Sequence, residues 1–463
     1  MNNRNFRLFR HSTHTHTPPP HTDTMTCPKS ELEADKHALV VSEFIPNRLY
    51  FVTFRNKTHR NTTDFHYFTT DDELVYNNYY ADFGPLNLAA VAKYINKMNF
   101  KLKSPSLASK VIVHFTSSNE KKRVNAAFLI AVYAIVNLKM TPNEAFNRLC
   151  SLKYPYVSFQ DASMGESQFK VRLIDCLNAV RKAVFFGIVN FDDFNIDEYE
   201  KMDNIKHGDV SWIVPQKFLA FSGPVDSPGE ECYHAPEYYL NYFRENKVNT
   251  VIRLNVKMYN SKSFSNAGVA HYELYFVDGS VPSHDIVTRF FDITENASGA
   301  VAVHCKAGLG RTGCLIGAYL IKHYRMTALE AIAWMRICRP GCVIGYQQTW
   351  LEEMEPALWN MGDSYRLRYH GSVDHIRNHK YGIYSFRNKE PNQMQSVEGL
   401  SCDCRDMQQG SIPTLYPHTS LHTSPTATSS KTETQGDKLN AVKRWRDMQQ
   451  TVKSFKKVLK KTH

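Results

Sequence analysis

The run His304-Cys305-Lys306-Ala307-Gly308-Leu309-Gly310-Arg311-Thr312-Gly313 carries the groups needed to grip and attack a tetrahedral anion. An apolar β-like stretch, Ala300–Val303, precedes it, and an apolar helical pattern follows. A loop between a strand and a helix start aims backbone N–H groups at one spot, with the positive end of the helix dipole behind them. The amides from Lys306 to Arg311, through Ala307, Gly308, Leu309 and Gly310, would line that spot. Gly308 and Gly310 allow backbone conformations that other residues resist. Arg311 supplies a planar fork for two phosphate oxygens. Cysteines at helix N-termini or beside cations have pKa values of roughly 3.5–7.5, so Cys305 is expected as a thiolate nucleophile. Thr312 can offer its hydroxyl to the sulfur when the sulfur departs, and His304 is expected to orient the loop. A lone cysteine here would read as a packed apolar residue; the whole pattern reads as nucleophilic chemistry on phosphate, through a phosphocysteine intermediate.

A phosphate monoester also needs a proton on its leaving oxygen. Asp278, in Phe276-Val277-Asp278-Gly279-Ser280-Val281-Pro282, lies at the end of a strand-like run and is the expected general acid, with Asp285 as the fallback. General acid catalysis is worth ~10²–10⁴-fold. An Asp-Gly pair alone is an ordinary turn, so the assignment leans on the cysteine loop.

The elements that position these groups repeat. RLYFVTF and KVIVHF read as strands, and LNLAAVAKYINKM and AAFLIAVYAIVNL as helices, over residues 37–190. WIVPQKFLAFSG, TVIRL, YELYFVDG and AVAVHC read as strands over 210–365, alternating with helix-like EYYLNYFREN, HDIVTRFFDIT and TGCLIGAYLIKHY. Such alternation predicts α/β architecture with largely parallel sheets. Val111–Phe115 parallels Val301–Cys305, Arg123 parallels Arg311, and MTPNEA (Met140–Ala145) parallels MTALEA (Met326–Ala331). The ordered set implies two copies of one fold. Phe115 stands where the first copy would need its nucleophile. Between the copies, residues 191–209 form an acidic linker containing FDDFNIDEYEKMDN, which reads as a solvated helix or as a surface for basic ligands.

The 463 residues carry a net charge of +11, with 42% hydrophobic and 22% charged residues, the balance of a globular chain. No run reaches the ~18 apolar residues of a membrane span, and the first residues have no apolar signal core. The ten cysteines show no zinc-like spacing; the Cys402/Cys404 pair lies in a polar stretch, and reduced intracellular thiols are expected. No metal or cofactor is expected. Residues 1–36, with His11, His14, His16 and His21, and residues 366–463 read as largely disordered tails. Within the second, residues 438–461 recover a helical pattern, with Val452, Phe455 and Leu459 on one face among lysines. That pattern suits a nuclear or nucleolar address, a membrane-surface helix or a calmodulin-type target.

With HCKAGLGRTG, FVDGSVP, ICRPGCVIGYQQTWL, SFQDAS, DEYE, WIVPQKFLAFSGP and KHYRMT, the chain from about Glu43 to Asp363 resembles the cell-division-cycle 14 family of dual-specificity phosphatases. The resemblance implies two tandem dual-specificity-phosphatase-like domains, the second alone catalytic, acting in cell-cycle control. It implies Cys305 as nucleophile, Arg311 as phosphate binder and Asp278 as acid, with Gln347 and Gln348 over the site. It implies substrates phosphorylated on Ser-Pro by cyclin-dependent kinases, with a nearby basic residue held by an acidic groove at Glu200, Asp203 and Asp209. Phosphothreonine and phosphotyrosine are further substrates. Nucleus or nucleolus and cytoplasm are the implied addresses, with centrosome or spindle beside them. Tyr346 departs from the family's Pro and Cys314 from its Thr. A phosphoinositide phosphatase shares HCKAG and RTG but carries a second Lys where Leu309 stands, and an acidic groove opposes anionic membranes. An RNA 5′-triphosphatase suits the basic tail but not the linker. A non-catalytic phosphoprotein scaffold and a nucleic-acid binder through the tail complete the alternatives; neither nucleic acid nor membrane is an obligatory partner.

Overall fold

Both halves of the chain fold as an antiparallel hairpin feeding a parallel sheet. The computed structural model describes residues 27–55, 59–165, 167, 169–226, 233–389 and 433–459. In the first half β1 (Ala38–Ile45), β2 (Leu49–Phe54), β3 (Phe65–Phe68) and β4 (Val111–Ser117) lie in the order β1-β2-β4-β3. In the second, β5 (Val210–Val214), β6 (Phe218–Phe221), β7 (Val248–Arg253), β8 (Ala270–Glu273) and β9 (Ala300–His304) lie in the order β5-β6-β9-β7-β8. β1/β2 and β5/β6 pair antiparallel, and all other pairs are parallel. β4 therefore corresponds to β9 and β3 to β7, with β8 as an extra edge. Every residue of β2, β5, β6 and β9 is buried, as near-continuous apolar runs in a sheet covered on both faces should be.

The duplication extends to cap chemistry. Thr141 and Glu144 close a capping box at the helix Pro142–Leu149, and Thr327 and Glu330 close the equivalent one at Ala328–Cys338. The two domains pack through the helices Leu173–Phe185 and Ala328–Cys338. Lys182 crosses between them to Glu330 (2.7 Å) and to the Arg325 carbonyl (2.6 Å). One continuous apolar core runs through both halves.

The acidic linker is a packed strut. Its helix, Ile196–Asp203, is capped by Asn195 and pinned by Tyr199, whose buried hydroxyl donates to the Cys338 carbonyl (2.9 Å). Residues 366–389, expected within a disordered tail, are ordered. The helix Tyr346–His370 runs past residue 365, and the chain then folds back as an extended strap. Trp212 N donates to the Tyr384 hydroxyl (3.0 Å) and Ile383 N to the Ile188 carbonyl (2.8 Å). Ile383 and Tyr384 are buried, and their burial holds a segment that has no periodicity of its own. The expected N-terminal tail likewise contains a short helix, Pro28–Ala34, that buries Leu32. The histidine-rich run and the Cys402/Cys404 pair lie outside the described residues. Among the described residues no helix is long and apolar enough to cross a membrane. The expected basic helix spans Gln435–Leu459; the side chains of Val452, Phe455 and Leu459 lie outside the described ones.

Candidate active site

The loop after β9 is built by its carbonyls. The Cys305 carbonyl accepts from His304 Nδ1 (3.0 Å), and that of Lys306 from Gly223 N (3.0 Å). Arg339 donates to the Ala307 carbonyl (3.2 Å) through Nη2 and to that of Gly308 (2.8 Å) through Nε. Because a trans peptide places N–H opposite C=O, four carbonyls turned into the protein leave the following amides facing one hollow. Gly308 makes this possible: its φ is +66°, and a Cβ there would lie 2.1 Å from the Phe221 carbonyl oxygen. The helix Gly310–Tyr324 begins at the end of the loop and adds its dipole. Burial pushes the His304 imidazole down to about 3, so the ring is neutral. With its proton on Nδ1, Nε2 accepts from the Tyr259 hydroxyl (2.7 Å). His304 is a spacer that holds the loop, as expected.

Cys305 is 3% exposed at the base of the hollow. Burial pushes its thiol up, but Arg311 and the Thr312 hydroxyl and amide more than offset this, leaving it below its ordinary value. Among the described residues Thr312 Oγ1 makes no hydrogen bond of ordinary geometry; its proximity to the sulfur favours a thiolate. Arg311 Nη1 donates to the Phe276 carbonyl (3.0 Å), and Nη2 lies 3.1 Å from Asp278 Oδ1. Its Nε is buried with no partner among the described residues, a donor left for a ligand oxygen. The Phe276 carbonyl and Asp278 thus hold the guanidinium in place.

Asp278 sits in a turn closed by Ser280 N to the Val277 carbonyl (3.1 Å), with Gly279 at φ +78°. YELYFVDG is strand only through Glu273; the rest forms the loop that brings Asp278 to Arg311. Asp285 is exposed in the first turn of the helix His284–Asn296, and no bond joins it to this cluster. Gln347 is fully buried over the loop: a Cβ on Gly310 would lie 2.9 Å from its Oε1, and its Nε2 donates to the Ser280 carbonyl (3.0 Å). Gln348, expected beside it, is instead a domain tie. Its Nε2 donates to Asp161 Oδ2 (2.9 Å) in the first domain, because consecutive helical residues point about 100° apart. Tyr346 is exposed, with its hydroxyl 3.3 Å from Glu353. Cys314 is fully buried and its thiol is pushed far up by burial, as for a packed helix residue.

Glu200, Asp203 and Asp209 line one cleft of about 380 Å³ at the domain junction, beside Leu309 of the loop. Glu200 is exposed and pairs with Lys93 (2.5 Å). Burial and the neighbouring Asp209 raise the Asp203 carboxyl to about 6, against the pull of Arg339, Arg446 and Lys443. Asp209 is buried and takes both Arg339 Nη1 and Nη2 at 2.8 Å. Asp209 therefore also positions Arg339, and through it the loop. Sequence reasoning missed Arg339, although it stands in the CRPG run; its role passes through backbone carbonyls, which carry no residue signature. It also missed Asp161.

The tail helix lies on this site. Gly436 N donates to Asp278 Oδ2 (2.8 Å), Asp437 pairs with Lys306, and Lys443 Nζ reaches both Asp209 and the Ala307 carbonyl (2.6 Å). The equivalent place in the first domain lacks these groups. Between β4 and the helix Glu120–Val136 only Ser118 and Asn119 intervene, Phe115 stands at the nucleophile position, and Arg123 is spent on the carbonyls of Pro155 (2.9 Å) and Tyr154 (2.6 Å).

Comparison with known proteins agrees with this layout. A family model described as dual specificity protein phosphatase, N-terminal half, matches residues 43–183, and one described as polymorphic toxin system, DSP-PTPase phosphatase, matches residues 228–325. Dual specificity protein phosphatase CDC14AB of Danio rerio is 48% identical over 413 residues, 88% of this chain and 64% of that protein. CDC14A of Mus musculus is 53% identical over 330 residues, 70% of this chain and 55% of that protein. CDC14C of Homo sapiens is 49% identical over 330 residues, 71% of this chain and 74% of that protein. The chain thus spans under two thirds of the length of the first two. With that extent of identity across both domains, the chain belongs to the CDC14 family of dual specificity protein phosphatases.

Proposed function

We propose that this chain hydrolyses phosphate monoesters on proteins, with Cys305 as nucleophile. The observation that carries the reading is the convergence on one hollow of the Cys305 sulfur, the loop amides and the partnerless Nε of Arg311. Cys305 Sγ attacks phosphorus in line; the ester P–O bond breaks as Asp278 gives its proton to the leaving oxygen. Water then attacks the phosphocysteine, Asp278 takes a proton back, and the sulfur leaves as thiolate, eased by Thr312. Arg311 and the amides hold the equatorial oxygens, whose charge a dry, preorganised site stabilises best. Gln347, over Gly310, orients the water.

Phosphoserine followed by proline, with a basic residue just beyond, is the proposed substrate, since the cleft of Glu200, Asp203 and Asp209 adjoins Leu309. Phosphothreonine and phosphotyrosine are the proposed further substrates. The family's name supports a cell-cycle setting; cyclin-dependent-kinase substrates, and action in nucleus, nucleolus and cytoplasm, at centrosome or spindle, are proposed with it. Leu309 is fully buried, where a lipid phosphatase would carry a second headgroup-binding Lys. Phosphate release from matched pSer-Pro-x-Lys and pSer-Pro-x-Ala peptides tests the reading. Preference for the Lys peptide should be lost in Glu200→Lys, with turnover of the Ala peptide kept; equal turnover of both peptides by the native chain would end the groove assignment.

A further inference from the structure

The tail helix Gln435–Leu459 meets the Asp278 turn, the phosphate loop and the acidic cleft at once. Its first turn, closed by Thr434 and Asp437, leaves the Gly436 amide unpaired within the helix, and that amide is spent on the Asp278 carboxylate. Gln435 lies against Gly279 of the same turn, 3.6 Å from where a Cβ would stand. Asp437 pairs with Lys306 of the phosphate loop. Two turns on, Lys443 is 7% exposed and joins Asp209 to the Ala307 carbonyl. Arg446 lies 4.3 Å above the Tyr79 ring at the wall of the acidic cleft, and Lys206 pairs with Asp447 (3.0 Å). Leu439 is 2% exposed, so the docking also buries apolar surface. Trp445 and Met448 face out. A basic side chain from a substrate and Lys443 would need the same carboxylate, and a leaving oxygen and the Gly436 amide the same oxygen of Asp278.

We propose that this helix is an internal competitor of the substrate: docked, it holds the catalytic acid by its N-terminus and occupies the Asp209 carboxylate of the basic-residue cleft with Lys443, and it must lift for turnover. The proposal rests on the phosphatase reading of the loop. Thermodynamically it requires only that the site be open for a fraction of the molecules, since apparent affinity scales with that fraction. An open fraction near a tenth would make release of the helix worth ~10-fold in kcat/KM. The competition itself needs no partner.

Gly436 offers a direct test, because a Cβ there would stand 2.7 Å from Lys306 Cβ, too close for the helix to stay seated. The full-length chain, Gly436→Val and Lys443→Glu should be compared by two readouts: kcat/KM on a small aryl phosphate, and the alkylation rate of Cys305 by iodoacetate, followed by mass spectrometry. Both variants should raise both rates, about tenfold if the closed form dominates, with unchanged melting of the catalytic domain. Faster alkylation without phosphate release from any substrate supports the occlusion and overturns only the phosphatase reading. Unchanged rates in both variants overturn the proposal. A fall in kcat/KM overturns it too, by making the helix a working part of the site.

Discussion

Arg339→Lys should cripple the phosphate loop while leaving charge in place. Arg339 spreads its donors over Asp209 Oδ1 and Oδ2 (2.8 Å each), Ser211 Oγ (3.0 Å), and the carbonyls of Gly308 (2.8 Å) and Ala307 (3.2 Å). An ammonium has three donors and no fork, so it cannot hold both the carboxylate and the loop. Lys443 already serves Ala307 and Asp209, so the loss falls chiefly on the Gly308 carbonyl. A buried acceptor left unpaired costs ~1–3 kcal/mol, and the charge-assisted bond itself ~1.5–3 kcal/mol, so a stability loss of ~3 kcal/mol is expected. The peptide following Gly308 is then unanchored; losing one such preorganised donor costs ~10²–10³-fold in kcat. Urea unfolding and steady-state kinetics on an aryl phosphate read the two effects. A variant as stable as the native chain, with kcat/KM within about twofold, would refute the carbonyl clamp.

Phe115→Cys in a Cys305→Ser chain should show no phosphate release, because Thr116 and Ser117 stay in the strand where the second domain forms its loop, and Arg123 is already held by two carbonyls; measurable turnover would mean the lost nucleophile was its only defect. The preference for a basic over a neutral peptide should shrink as pH falls through about 6, where Asp203 takes a proton and ceases to attract. Taking the ratio of the two peptides cancels the Cys305 titration. A ratio flat from pH 5 to pH 8 would remove Asp203 from recognition.

Much of this was legible from residues near one another in the chain. The strand-loop-helix context of Cys305 appears as a hydrophobic run, a glycine-bearing loop and a second run, and the loop forms as those runs imply. The duplication was legible because Thr141 and Thr327 cap helices with Glu144 and Glu330 three residues on, a local signal repeated in order. Sequence gave no sign of partners joined only by the fold. Arg339 acts on carbonyls about thirty residues away, and Gln348 turns to Asp161 in the other domain although its neighbour Gln347 lies over the loop. The strap around Tyr384 had no periodicity because extended backbone fitting a groove needs none. Basic composition marked the tail helix, but the carboxylates of Asp209 and Asp278 that draw its first turns lie more than 150 residues earlier.

Trapping the covalent intermediate tests the central claim most directly. Gly436→Val protein would be mixed with a phosphopeptide, quenched in acid within the first turnover and digested for mass spectrometry. A phosphoryl group on Cys305, absent from the Cys305→Ser chain, is the predicted result. Phosphate release without any modified Cys305, or release undiminished by Cys305→Ser, would contradict it.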